Sequence, residues 1–302
     1  MKVRLPNGLT IHAANRIDAR FIYHEIFVQE CYLKHGIELL EGARVFDVGA
    51  NIGMFALFVS RSLRDFELYA FEPIPETFEL LRRNAEPLAD KVKVFNMGLS
   101  DHSGTATFTR FPRASALATC SPSHIPQLRA ARNEFIARGV RGRSSNFLGR
   151  VLEQPRRVLA RALDFYFFSG EQTIQCPLKT LSEIISTHVV ESIDLLKIDV
   201  ENSEWEVLAG LEDADWARVR QVVLEVHDID GRLRRVLDRL ERVGFDAVAD
   251  QDEWGGEFAV FNVYARRRVV PLLACRNIGE GEVGRTGRRS SMPSQDPQRR
   301  IP

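Results

Sequence analysis

The stretch VFDVGANIGM, Val45–Met54, constrains this chain more than any other. An apolar run carries Asp47, and Gly49 and Gly53 then bracket a turn that leads into an apolar helical pattern. Glycine at both places permits positive φ and lets backbone approach a ligand closely. Strand, tight turn and helix in that order open a βαβ unit, and the start of such a helix suits a negatively charged group such as a carboxylate. The spacing is G-x-x-x-G and differs from the G-x-G-x-x-G of dinucleotide sites.

The rest of the chain repeats this alternation. Strands are expected at Arg44–Gly49, Glu67–Glu72, Val92–Asn96, Ile193–Asp199 and Gln221–Val226, with a closing pair at Gly244–Ala249 and Phe258–Arg266. Helices are expected from about Ile52 to Ser62, from Pro75, from Ser203 to Leu211 and from Gly231 to Arg242. A further helix in TLSEIISTH begins with Thr180 and Glu183 at the spacing of a capping box. SDHSGTATFTRF alternates at period two and reads as an excursion strand. Two segments break the pattern. Between Arg110 and Arg161 stand eleven arginines against only Glu134 and Glu153, so a basic helical insertion at about 112–172 hides inside a chain whose 41 basic and 41 acidic residues balance. The tail, 268–302, rich in Gly, Pro, Ser and Arg toward its end, is expected to be disordered.

That balance removes any global electrostatic reason to bind nucleic acid or a membrane. The local basic segment lacks interleaved stacking aromatics, so nucleic acid is not an expected partner. Cys31, Cys120, Cys176 and Cys275 form no CxxC pair, which argues against a zinc ribbon and fits a reducing, cytoplasmic setting. The first residues hold no apolar signal core, and no apolar run nears the ~20 residues that cross a bilayer.

Three acids punctuate the strand ends. With Asp47 two positions before Gly49, the first loop fits the glycine-rich loop of S-adenosylmethionine (SAM) methyltransferases, in which the acid and the amides of Gly49, Ala50, Asn51 and Gly53 would hold the amino-acid end of the cofactor. Glu72, in AFEP, ends the second strand, where a carboxylate can accept both ribose hydroxyls. Asp101, after the third strand, is placed to meet the adenine amine, although an Asx-turn role before Gly104 fits equally.

VFDVGANIG, AFEPIPETFELLRRN, CPLKTLSEI, LLKIDVENSEWEVLAG and EVHD together resemble the FkbM family of SAM-dependent methyltransferases, from about Pro6 to Arg266. The leader is similar to that of members in polyketide and nonribosomal peptide pathways. One departure is Asn202, where many members carry Gly after Asp-x-Glu. The resemblance implies a class I, Rossmann-like, doubly wound α/β sheet of seven strands with the last antiparallel. A helical leader (1–41) would precede the main domain (42–267), and the insertion would lie over the strand ends.

It also implies O-methylation of a hydroxyl on a secondary metabolite or saccharide. An alcohol is a poor nucleophile and needs a base beside it. Ligands of open α/β sheets lie at the C-terminal strand ends, where Asp199, His227 and Asp228 stand. His227 is the expected base because an ordinary imidazole titrates near ~6.5. Asp199 would orient the acceptor or the base, and Glu225 or Asp228 would hold the imidazole. A metal-assisted alternative would use Asp199, Glu201, Glu204 and His227, but no spacing is diagnostic and a metal-free mechanism is favoured. Tyr23, Phe27 and Tyr32 are expected to pack rather than bind substrate, Trp205 and Trp216 to pack beside the sheet, and Cys31 and Cys176 to behave as small buried apolar groups. The acceptor could be free or tethered to an acidic carrier protein that meets the basic insertion. Two rivals remain: an NAD-dependent oxidoreductase, disfavoured by the glycine spacing, and a non-catalytic partner-binding module, disfavoured by the intact Asp47, Gly49, Gly53 and Glu72.

Overall fold

The computed structural model describes residues 1–111, 114–119, 170–251 and 259–268. Most of the basic insertion and the tail beyond Arg268 lie outside the described residues, as do the helices expected there.

The leader begins with a hairpin, not a helix. Strands β1 (Lys2–Arg4) and β2 (Thr10–His12) pair antiparallel around Pro6-Asn7-Gly8, with Gly8 at φ +87° and its amide bonded to Leu5 O at 3.0 Å. Val3, Leu5 and Ile11 alternate inward, so the period-two pattern and the turn chemistry outweigh any helical reading. Asn15 then caps α1 (Arg16–Tyr23), accepting from the amides of Ile17 and Asp18, and the helix runs on as a π-helical turn over His24–Val28.

The main sheet is built from β3 (Ala43–Val48), β4 (Phe66–Phe71), β5 (Val92–Phe95), β10 (Leu195–Ile198), β11 (Gln221–His227), β12 (Phe245–Asp250) and β13 (Val260–Arg267). Their order is β12-β13-β11-β10-β3-β4-β5. The central neighbours pair parallel, while the last strand, β13, runs antiparallel to both β11 and β12, between which it is inserted. Connecting helices are α2 (Met54–Ser62), α3 (Pro75–Ala85), α4 (Leu181–Thr187), α5 (Glu204–Ala209) and α6 (Arg232–Arg242). Thr180 and Glu183 close the expected capping box at α4. Pro75 opens α3, where a missing amide costs nothing.

A second sheet, ordered β6-β9-β7-β8, carries the excursion: β6 (Gly98–Leu99), β7 (Gly104–Phe111), β8 (Ala114–Thr119) and β9 (Gln172–Lys179). Strand β7 was legible in the sequence, but β9 was not. Pro177 sits within it and masks the alternation of Ile174, Cys176 and Leu178.

Strand periodicity sorts the core. Val45, Leu68, Ala70, Leu195 and Val223 join one apolar cluster with α2 and the leader, while Phe46, Val48, Tyr69, Leu196, Ile198, Val222 and Leu224 join the other. Asp47, Lys197, Glu225 and His227 fall on the odd-numbered, leader-facing side of their strands. The polar residues of the site therefore share the face that the leader covers.

The first loop leaves no room for a side chain. Gly49 has φ +79°, and a Cβ there would come within 1.7 Å of Asp199 O; Gly53 has φ +83°, and its Cβ would meet the end of the Leu81 side chain at 2.7 Å. Gly49→Ala is expected to lower the denaturant midpoint far more than Gly53→Ala, because a backbone carbonyl cannot move aside as a leucine methyl can. Gly53→Ala should lose about 1–2 kcal/mol from its left-handed φ alone, with equilibrium unfolding as the measurement.

Candidate active site

Two polar clusters meet at the C-terminal ends of β3, β10 and β11. The first is centred on Lys197, a lysine whose side chain is only 4% exposed within an otherwise apolar strand. Its Nζ lies 3.0 Å from Asp47 Oδ1, donates to Gly49 O at 2.9 Å and lies 3.6 Å from Asp199 Oδ2. Burial works against this charge, but Asp47 and Asp199 more than offset it and hold the Lys197 pKa above the ordinary lysine value. Burial likewise raises the Asp47 carboxyl, and Lys197 opposes it. Tyr32, from the leader, closes the cluster by donating its hydroxyl to Asp199 Oδ2 at 2.8 Å. Neither Lys197 nor Tyr32 was identified from the sequence as a site residue. The lysine was detectable as a charged residue in LLKID, on the same strand face as Asp199. Tyr32 was read as packing, which Tyr23 and Phe27 do perform, stacked at 5.1 Å.

The glycine-rich loop spends its amides internally. Gly49 N and Ala50 N both donate to Phe71 O, at 3.1 and 2.9 Å, Asn51 N donates to Glu72 Oε2 at 3.1 Å, and Gly53 N donates to Ala50 O at 2.8 Å. The expectation that these four amides hold a cofactor is corrected accordingly. The donors are needed to lock β3 against β4 and to shape the turn. Unpaired acceptors take their place. Asn51 Oδ1 and Asp47 Oδ2 are buried without a hydrogen-bond partner among the described residues, which suits a ligand that brings donors, such as the ammonium of an amino-acid group.

Glu72 follows β4 and is buried. Its Oε1 accepts from Ile74 N at 2.9 Å and its Oε2 from Asn51 N, so backbone on both sides fixes the carboxylate while each oxygen keeps a lone pair. Burial pushes this carboxyl up to about 7, against the pull of the two amides. Asp101 lies in the loop after β6 and is half exposed, bonded to His102 Nδ1 at 2.6 Å and Ser100 Oγ at 3.2 Å. The His102 bond holds its pKa below the ordinary aspartate value.

The second cluster surrounds His227. Its Nδ1 lies 2.9 Å from Glu204 Oε1, and its Nε2 lies 3.5 Å from Glu201 Oε2 and 3.8 Å from Glu225 Oε1. Burial alone would lower the imidazole pKa. The bond and charge of Glu204, with the charges of Glu201 and Glu225, outweigh burial and push it up to about 10. The ring is thus a cation at neutral pH and has no lone pair for a substrate proton, which removes the ground on which His227 was expected to be the base. Burial, with the Asp199 charge, raises Glu225 to about 7 and moves Glu201 up as well. Glu225 lies near the imidazole, but the residue hydrogen-bonded to it is Glu204. Asp228 does not hold it; its Oδ1 accepts from Leu233 N at 3.0 Å.

Glu204 is spoken for by structure: its Oε1 also accepts from Asn202 N at 2.8 Å, and its Oε2 from Arg232 at 2.8 Å. The ligand atoms that do converge are those of Asp199, Glu201 and Glu225, within 4.8 Å of one another. This group could hold a hard divalent cation, and it differs from the set weighed from sequence by exchanging Glu204 and His227 for Glu225. The backbone here is left-handed at Glu201 (φ +49°) and Asn202 (φ +78°). Asparagine tolerates that region better than most residues, which suits Asn202 to its place.

Residues 47–247 match the family model described as the methyltransferase FkbM domain. The chain is 42% identical over 266 residues to the 31-O-demethyl-FK506 methyltransferase FkbM of Streptomyces tacrolimicus, covering 88% of this chain and 96% of that one. It is 32% identical to the methyltransferase sdnD of Sordaria araneosa, over 86% of this chain and 94% of that one. It is also 35% identical to part of the AMB antimetabolite synthetase AmbE of Pseudomonas aeruginosa, covering 88% of this chain but 12% of that much longer protein.

Glu204 and Arg232 form a buried pair, with side chains 0% and 10% exposed. Arg232→Met is expected to destabilise the fold by about 3–5 kcal/mol because it strands a buried carboxylate. Adding Glu204→Gln should recover part of that loss, and urea unfolding of the two variants measures both.

Proposed function

The chain belongs to the FkbM family of methyltransferases, and from that premise we propose that it transfers a methyl group from SAM to a hydroxyl of a secondary metabolite or saccharide. The observation that carries the donor assignment is the pair of buried, unpartnered acceptors, Asp47 Oδ2 and Asn51 Oδ1, beside a turn that a Cβ would fill. They suit the ammonium of the donor's amino-acid end. The fixed Glu72 carboxylate would accept the ribose hydroxyls, and Asp101 would reach the adenine amine. SAM, when bound, supplies a methyl group on a sulfonium, which is open to in-line attack.

The chain's own part in the reaction is to position a hydroxyl and take its proton. The Asp199 backbone lies against Gly49 of the donor loop. In this reading Asp199 orients the acceptor and accepts the proton, with Glu225 beside it. His227 is a fixed cation that holds Glu201, Glu204 and Glu225 together rather than a base. No step requires a metal. A divalent cation on Asp199, Glu201 and Glu225 is the second reading, favoured by the convergence of their ligand atoms.

The names of two relatives support oxygen as the accepting atom: the Streptomyces protein carries 31-O-demethyl-FK506, and a Sinorhizobium fredii relative, 25% identical over 68% of this chain, is called 2-O-methyltransferase NoeI. The match to a segment of a synthetase supports an acceptor tethered to an acidic carrier protein as a further form. None of the described helices is long and apolar enough to cross a membrane.

Titration calorimetry should give heat with SAM and none with NAD; heat with NAD alone would return the oxidoreductase reading. Glu72→Ala should weaken SAM binding by about 1–3 kcal/mol, the cost of unpairing a charged hydrogen bond, and unchanged affinity would remove the ribose role. Methyl transfer from labelled SAM to 31-O-demethyl-FK506 as probe acceptor should survive a chelator. Loss of transfer in chelator, restored by magnesium, would replace the metal-free mechanism with the second reading.

A further inference from the structure

Asp199 is the residue on which the acceptor side of the site depends, and its contacts come from two directions. Lys197 lies 3.6 Å from Oδ2 and is anchored at its other contacts, 3.0 Å from Asp47 Oδ1 and 2.9 Å from Gly49 O. The Tyr32 hydroxyl reaches the same Oδ2 at 2.8 Å, across 167 residues of chain. The Tyr32 ring is buried, lies edge-on to Phe55 of α2 at 5.3 Å between centroids, and has Lys197 Nζ 5.2 Å from its centroid. Phe55 is the second residue of the helix that follows the glycine-rich loop. The ring is thus braced by the element that shapes the donor loop, and its hydroxyl is spent on the carboxylate at the acceptor side.

A buried hydroxyl is costly unless bonded, so phenylalanine would pack here as well if packing were the whole role. The distances indicate what the hydroxyl does. At 3.6 Å the Lys197–Asp199 ion pair is longer than a direct ammonium–carboxylate hydrogen bond. A carboxylate with no other tie would close on the ammonium. The phenol holds Oδ2 at hydrogen-bond distance and keeps the carboxylate off the lysine. Oδ1 carries neither contact and is the oxygen left to an acceptor hydroxyl.

We infer that Tyr32 is a positioning residue: the leader supplies the hydroxyl that orients Asp199 toward the acceptor, so the catalytic domain is incomplete without its N-terminal segment. This rests on the reading of Asp199 given above. It adds to that reading the source of the carboxylate's orientation and a function for the leader that the glycine-rich loop, Glu72 and the strand ends do not supply.

The test uses the full chain carrying Tyr32→Phe, which removes one oxygen and keeps the ring. Calorimetry should give a dissociation constant for SAM within two-fold of wild type. With the probe acceptor named above, kcat should fall at least ten-fold while KM for SAM stays unchanged. A crystal structure of the variant should place an Asp199 oxygen at direct hydrogen-bond distance from Lys197 Nζ. An Asp199 carboxylate that keeps its wild-type place in the variant, or an unchanged kcat, would overturn the proposal. Should the variant not crystallise, a double-mutant cycle of Tyr32→Phe and Asp199→Asn on unfolding decides the same point, because additive effects would show that the hydroxyl does not act through Asp199. A wild type that binds no SAM would sink the transfer reading instead, and the crystallographic and unfolding arms would still judge Tyr32.

Discussion

The ammonium of Lys197 ties the molecule together. It sits inside the sheet, and it neutralises Asp47 at the end of one strand while facing Asp199 at the end of the next and binding the carbonyl of Gly49 between them. A charge this deep persists only because its partners are close and its donors are used. The arrangement ties β3 to β10 near the C-terminal ends of the two strands, and it gives the glycine-rich turn a fixed floor. The turn's own amides bind it to β4 from the other side, through Phe71 O and Glu72. The glycine-rich loop and the Asp199 carboxylate are therefore parts of one electrostatic unit.

That unit is confined to one face of the sheet. Strand alternation puts Asp47, Lys197, Glu225 and His227 on the side packed by the leader and α2, and leaves the opposite face apolar under α4, α5 and α6. The leader is pinned at several points. Asn84 of α3 donates to His12 O and Ile52 O while its Oδ1 accepts from His12 N, Tyr264 of β13 donates to Cys31 O at 2.6 Å, and Tyr32 reaches Asp199. An N-terminal segment held this way belongs to the same core as the central strands.

The His227 cluster follows a different logic. Three glutamates around one imidazole would repel one another in a low-dielectric setting, and the shared cation relieves that repulsion. Arg232 does the same for the far oxygen of Glu204. The histidine that a reading by residue type selects as a base sits among glutamates that raise its pKa to about 10.

The sequence by itself determined the alternation of strands and helices, the glycine-rich turn, the glutamate at the second strand end, the capping box at Thr180 and Glu183, and the family. Each depends on local pattern: apolar period, a residue type that a given φ demands, or a motif order along the chain. Tertiary structure decided the rest. Strand β9 pairs with β7 across the insertion despite Pro177, the last strand enters between β11 and β12, and the loop amides that motif reading assigns to a ligand are taken by Phe71 O, Glu72 and Ala50 O. Tyr32 meets Asp199 across a separation no local pattern encodes, and the raised pKa of His227 depends on Glu201 and Glu204 of another segment together with Glu225 of its own strand. Ionisation and hydrogen-bond partnership depend on distance in space and on burial, and a linear chain carries neither until it has folded.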